Sequence, residues 1–191
     1  MRKLLLTAGL ACTLAGALPS RADAQAFLTP FAGVTFNGDA PAKKLTYGGG
    51  LTFMGKAAGL DLDLGYTPDF FNQNDADVVL VGDNNVTTVM ASLVVGPGVG
   101  PVRPYGVAGV GLIRSRIDGG DIFDAVSTND FGVNAGVGVL GKMGGHAWIR
   151  GEVRYFRSLQ DPSSDGDLDV TLGKFDFWRG TIGVSFSLGG D

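Results

Sequence analysis

The residues best suited to chemistry are charged ones set two apart. Arg150, Glu152 and Arg154 alternate with Ile149, Gly151, Val153 and Tyr155. Asp61 and Asp63 alternate with Leu60, Leu62, Leu64 and Tyr66. Carboxylates and guanidiniums so placed can pair between segments, and pairing is what a charge needs when it leaves water. Other constellations point to nothing as definite. His146 is the sole histidine. A general base of near-neutral pKa needs a nucleophile or acid beside it. His146 instead closes the short stretch 141–146, so no catalytic residue is assigned and no enzyme is expected. Asp161, Asp165, Asp167 and Asp169 make a dense carboxylate loop of the kind hard cations take. Leu172 stands where a calcium loop needs its bidentate glutamate, so the stretch reads as a solvated acidic loop and no metal is expected. No helix follows Gly96-Pro97-Gly98 or the glycines at 106, 109 and 111, so neither run offers a helix N-terminus for phosphate. No cofactor is expected.

The elements that must position these charges are strands. Side chains alternate across a strand, and a helix would scatter the 60–66 and 148–157 patterns around its circumference. Phe131, Val133, Ala135, Val137 and Val139 share one face against Gly and Asn. Trp178, Ile182, Val184, Phe186 and Leu188 share another. Weaker strands fill 27–36, 46–54, 86–95 and 102–113. Glycine and alanine leave the phase of the first and fifth undetermined. The connections alternate in length. Stretches 55–58, 96–101 and 141–146 are short, whereas 67–85, 114–130 and 158–174 are long and polar, with 37–45 between the two. No capped helical pattern and no internal repeat are present.

Composition agrees with strands. The chain of 191 residues holds 32 glycines and 45% apolar residues, with only 18% charged. Its acidic residues are almost all aspartate, a turn former and poor helix or strand former. The net charge of −4 argues against a nucleic-acid partner, which would want a basic stripe. At the N-terminus, Arg2 and Lys3 precede the apolar stretch 4–18. Pro19 and Ser20 break it, and Ala22-Asp23-Ala24 offers a small-x-small site. This is the anatomy of a cleaved secretory signal over residues 1–24, with a second site two residues on. Cys12, the only cysteine, falls inside it, so the mature chain 25–191 has no disulfide.

No apolar run reaches the ~20 residues of a membrane-spanning helix. Strands of about ten residues, by contrast, are long enough to cross a bilayer when tilted. Backbone groups in hydrocarbon must be paired internally, so such strands have to close on themselves. Eight of them leave an interior that side chains fill. The expected fold is all-β: an eight-stranded antiparallel up-and-down transmembrane barrel, with tight turns and both termini at the periplasmic end and long loops outside. Asp61, Asp63, Arg150, Glu152 and Arg154 then face a common lumen as a polar network. Aromatic residues are expected in girdles at headgroup depth, with Tyr66, Phe70, Phe71, Tyr155 and Trp178 on the outer side and Tyr105, Trp148 and Phe186 on the periplasmic side.

The C-terminal run carries Thr181, then Gly183, then Phe186 and Leu188 at alternate positions. It is similar to the terminal-strand signal read by the outer-membrane barrel assembly machinery, although Gly189-Gly190-Asp191 follows where many such chains stop at an aromatic residue. Together with the run 102–112, Gly151-Glu152-Val153-Arg154-Tyr155 and the leader, the chain resembles the small OmpA/OmpX-like outer-membrane barrels of Gram-negative cell envelopes. The resemblance implies a monomer in the outer membrane. Its partners would be lipid and lipopolysaccharide, and the assembly machinery during biogenesis. It leaves function open: a structural or surface-interaction barrel with a filled lumen, a narrow channel or carrier for small solutes, apolar ones included, or a soluble exported binding barrel.

Overall fold

A computed structural model describes residues 25–38, 40, 43–70, 84–97, 100–117, 126–159 and 175–188. The proposed leader, Phe71 and the carboxylate loop 161–169 lie outside these residues. Eight strands run in order: β1 (Gln25–Phe36), β2 (Lys44–Met54), β3 (Ala58–Pro68), β4 (Asn84–Val95), β5 (Val102–Ile117), β6 (Val126–Gly144), β7 (Ala147–Ser158) and β8 (Asp176–Ser187). Each pairs antiparallel with its neighbours, and β1 closes on β8 through Phe31↔Gly183 and Phe36↔Trp178. No edge is left unpaired, the condition for a sheet to sit in hydrocarbon.

The three tight connections lie at one end, with the start of β1 and the end of β8. Between β2 and β3 the Gly55 N–H donates to the Ala58 carbonyl at 2.9 Å. Between β6 and β7 two residues suffice, Gly145 and His146. Gly145 has φ 35°, in the left-handed region, where a side chain would cost free energy and glycine does not. The remaining four connections lie at the opposite end.

Two strands are longer than their apolar pattern suggests. β5 has 16 residues and β6 has 19, and their pairing runs on through Arg114↔Asn129 to Ile117↔Val126. Much of the stretch expected as a loop over 114–130 is therefore ladder. Its polar residues conceal this: a strand that projects beyond hydrocarbon keeps its backbone pairing but no longer needs apolar side chains.

The two faces differ sharply. Asp61 is 1% exposed while its neighbour Leu62 is 50% exposed, and Val137 reaches 66%. Leu60, Leu64, Val89, Leu93, Val110, Leu112, Ile182 and Val184 continue this outer apolar surface around the wall. Such a band is far larger than the few hundred Å² of contiguous apolar surface that a water-soluble monomer tolerates. Hydrocarbon is the solvent that suits it, and the core is the lumen.

Candidate functional site

The lumen is filled in three layers. At mid-height β3 supplies Asp61, since alternation with leucine turns every second residue inward, and β7 supplies Arg150, Glu152 and Arg154 in the same way. Arg150 Nη1 lies 3.2 Å from Asp61 Oδ1, and its Nη2 lies 2.7 Å from Glu152 Oε2. Arg154 Nη2 reaches Asp61 Oδ2 at 2.6 Å, and its Nε donates to Glu152 Oε1. Glu152 also accepts from the Tyr105 hydroxyl on β5 at 2.7 Å, and that hydroxyl accepts from Arg150 Nε at 2.7 Å. Thr52 on β2 donates to Asp61 Oδ1. The cluster thus ties β2, β3, β5 and β7 together across the barrel.

Asp63 makes its ion pair outside this cluster, although its charge also acts on Arg154. Its partner is Arg179 on β8, with Nη2 2.6 Å from Oδ1. Arg179 also donates to Thr88 at 3.2 Å and lies over the ring of Phe156 at 4.6 Å. Of the five residues expected in the lumen, four converge on one site and the fifth anchors a second pair. Arg179, Tyr105 and Thr52 complete the network. Arg179 was recoverable from the sequence, because it alternates with the lipid-facing Trp178.

Apolar layers cap the charges. At the end of the longer connections, Phe70, Phe156, Phe175 and Phe177 pack with Val86, Met90 and Ile113. Phe156 and Phe177 stack at 5.0 Å, and Phe70 meets Phe177 at 5.3 Å. At the end of the tight turns Phe27, Met54, Val94, Tyr105, Val107, Leu140 and Trp148 form the other cap. Arg103 lies 4.2 Å over the Trp148 ring and donates to the Gln25 side chain at 2.9 Å.

Three expected girdle residues therefore lie inside. Phe70, Tyr105 and Trp148 are lumenal, 0%, 5% and 2% exposed. Trp148 shares parity with Arg150, which turns it inward. Phe70 follows the end of β3 and folds over the mouth. Among the described residues the outward aromatics are Tyr47, Phe53, Phe131, Trp178 and Phe186, with the partly covered Phe36, and Tyr66 and Tyr155 against Tyr47 and Trp178. The chain's two tryptophans consequently see different solvents. Brominated acyl chains should quench Trp178 in a W148F variant and leave Trp148 bright in a W178F variant. Equal quenching of both would contradict this packing.

Thr181 and Gly183 face the lumen and Phe186 and Leu188 face outward, in keeping with their positions along β8. His146 is exposed in its turn. Among the described residues no three His, Cys, Asp or Glu side chains gather to hold a metal ion.

A closed eight-stranded antiparallel sheet, apolar outside and ion-paired inside, defines a transmembrane β-barrel. More particularly, the chain belongs to the outer membrane protein beta-barrel domain family, whose pattern matches residues 4–188, and it is a protein of the Gram-negative outer membrane. Solved structures share the fold at low identity. Neisserial surface protein A superposes with a TM-score of 0.65 at 14% identity, covering 88% of this chain and 100% of that one. The N-terminal barrel domain of Pseudomonas aeruginosa OprF gives 0.55 at 16%, covering 88% and 100%. OprG of the same organism gives 0.54 at 18%, covering 88% and 98%. No curated protein matches the sequence.

Proposed function

We propose that this is a non-conducting barrel whose role is structural or surface-interacting, exercised through the four longer connections on the cell exterior. The observation carrying this reading is the layered lumen. Asp61, Asp63, Glu152, Arg150, Arg154 and Arg179 balance one another in charge at mid-height, and apolar caps separate them from water at both ends. An ion entering would have to displace packed rings and break ion pairs that are stabilising only while intact. The orientation follows the general layout of such barrels, with tight turns and termini in the periplasm. The alternating residues Thr181, Gly183, Phe186 and Leu188 fit a role as the segment the assembly machinery reads during insertion.

Planar-bilayer recording tests the proposal. The purified barrel should give no reproducible conductance steps. Discrete steps that disappear when Gly50, on the lumenal face, is replaced by phenylalanine would overturn it in favour of a narrow channel.

A further inference from the structure

The seam where the first strand meets the last lacks one ladder hydrogen bond. At one end of it the Leu188 N–H donates to the Ala26 carbonyl at 2.8 Å. Hydrogen-bonded pairs recur at every second residue of an antiparallel ladder, so Leu28, Pro30, Ala32 and Val34 are the β1 residues that bond to β8. Pairing runs through Phe27↔Ser187 and Leu28↔Phe186, lapses at Thr29 and Pro30, and resumes at Phe31↔Gly183. Proline has no N–H, so the Val184 carbonyl opposite Pro30 has no ladder donor. Pro30 is the sixth of the twelve residues of β1, on a wall where hydrocarbon offers no replacement donor. Pro68 and Pro104 also lie in strands, but their missing N–H groups point where the neighbouring ladder has already ended. Proline in a sheet normally occupies an edge, and this sheet has none.

The charged cluster does not brace the seam. It ties β2, β3, β5 and β7, and holds no residue of β1 or β8. Lighter contacts cross the seam instead. The hydroxyls of Thr29 and Ser185 share a buried hydrogen bond of 2.7 Å, and Gln25 Nε2 donates to Ser187 Oγ at 2.8 Å. Arg179 lies 5.0 Å over the ring of Phe31. The seam is also the one pairing between strands that are not neighbours in the chain, so it closes a loop of the whole barrel rather than of one hairpin. We propose that the β1–β8 seam is a built-in opening point: the wall parts at Pro30 while the rest of the barrel stays closed, and the Thr29–Ser185 hydrogen bond is its latch.

Amide hydrogen exchange, read residue by residue by NMR on the folded barrel in detergent micelles, tests this. In the wild type the amides of Ala32, Ile182 and Val184 should exchange about tenfold faster than those of Asp63 and Met90, which pair in the middle of the β3–β4 ladder. P30A restores the donor and should slow the seam amides about tenfold, leaving Asp63 and Met90 unchanged. T29V removes the latch hydroxyl and should speed exchange at the seam alone. Seam amides as slow as the β3–β4 pair in the wild type would overturn the proposal. So would a P30A barrel with unaltered seam exchange, or with equal slowing at both strand pairs, which would mark a change in global stability. Were P30A not to fold, the wild-type comparison and T29V would still decide.

Discussion

Replacing Glu152 by alanine should destabilise the folded barrel by about 3–5 kcal/mol, the cost of leaving buried charges unpaired. The carboxylate has three partners, Arg150, Arg154 and Tyr105. Its loss leaves two arginines, 7% and 1% exposed, to share Asp61. Arg154 is the more vulnerable of the two. Its Nη1 has no hydrogen-bond partner among the described residues, so the loss of Glu152 leaves it the hydrogen bond to Asp61 and the more distant charge of Asp63. Apolar caps above and below prevent water from taking the carboxylate's place cheaply. Urea titration in short-chain phosphatidylcholine vesicles, followed by tryptophan fluorescence and by the mobility of unboiled samples, measures the change. E152Q should fall between the two, since an amide oxygen still accepts from arginine but carries no charge. A midpoint for E152A equal to wild type would show that the cluster is not the barrel's central tie.

The legibility of this architecture varied with the contrast between faces. In the middle of β3 and β7 inward charges alternate with outward residues that are mostly apolar, Leu60 to Leu64 and Ile149 to Tyr155, so strand, phase and burial all follow from alternation. β5 has no such contrast. Val102, Tyr105, Val107 and Val110 fall on both faces with glycine and alanine between them, and Tyr105 could not be assigned inward without knowing which face was lipid. Trp148 was different. Its parity with Arg150 was visible, but an aromatic residue near a strand end also suits a headgroup girdle, and only the packed Phe27–Trp148–Arg103 contacts decide between them. The partners of Asp63 were harder still. Which strand meets β3 across a lumen depends on the stagger of the closed sheet, and alternation along one strand contains no information about stagger. Function was least legible, because the same alternation serves any filled barrel and the contacts that would distinguish roles belong to the connections.

Glycine on the lumenal face contributes a second, independent kind of information: it marks where another side chain needs the space. A Cβ at Gly65 would overlap the guanidinium of Arg179, and one at Gly138 would overlap the Tyr105 hydroxyl and Cζ, with Cε2 at 2.9 Å. The Tyr105 ring cannot yield freely, because its hydroxyl is held by both Glu152 and Arg150. Gly138→Val should therefore destabilise the barrel by about 3 kcal/mol, through overpacking together with the loss of those two hydrogen bonds. If the ring is the obstacle, the effect must depend on it. In a Tyr105→Ala background the same valine should cost less than about 1 kcal/mol, a non-additivity expected only of residues in direct contact. Equal costs in both backgrounds would mean that the β6 backbone, rather than the ring it makes room for, requires glycine at this position.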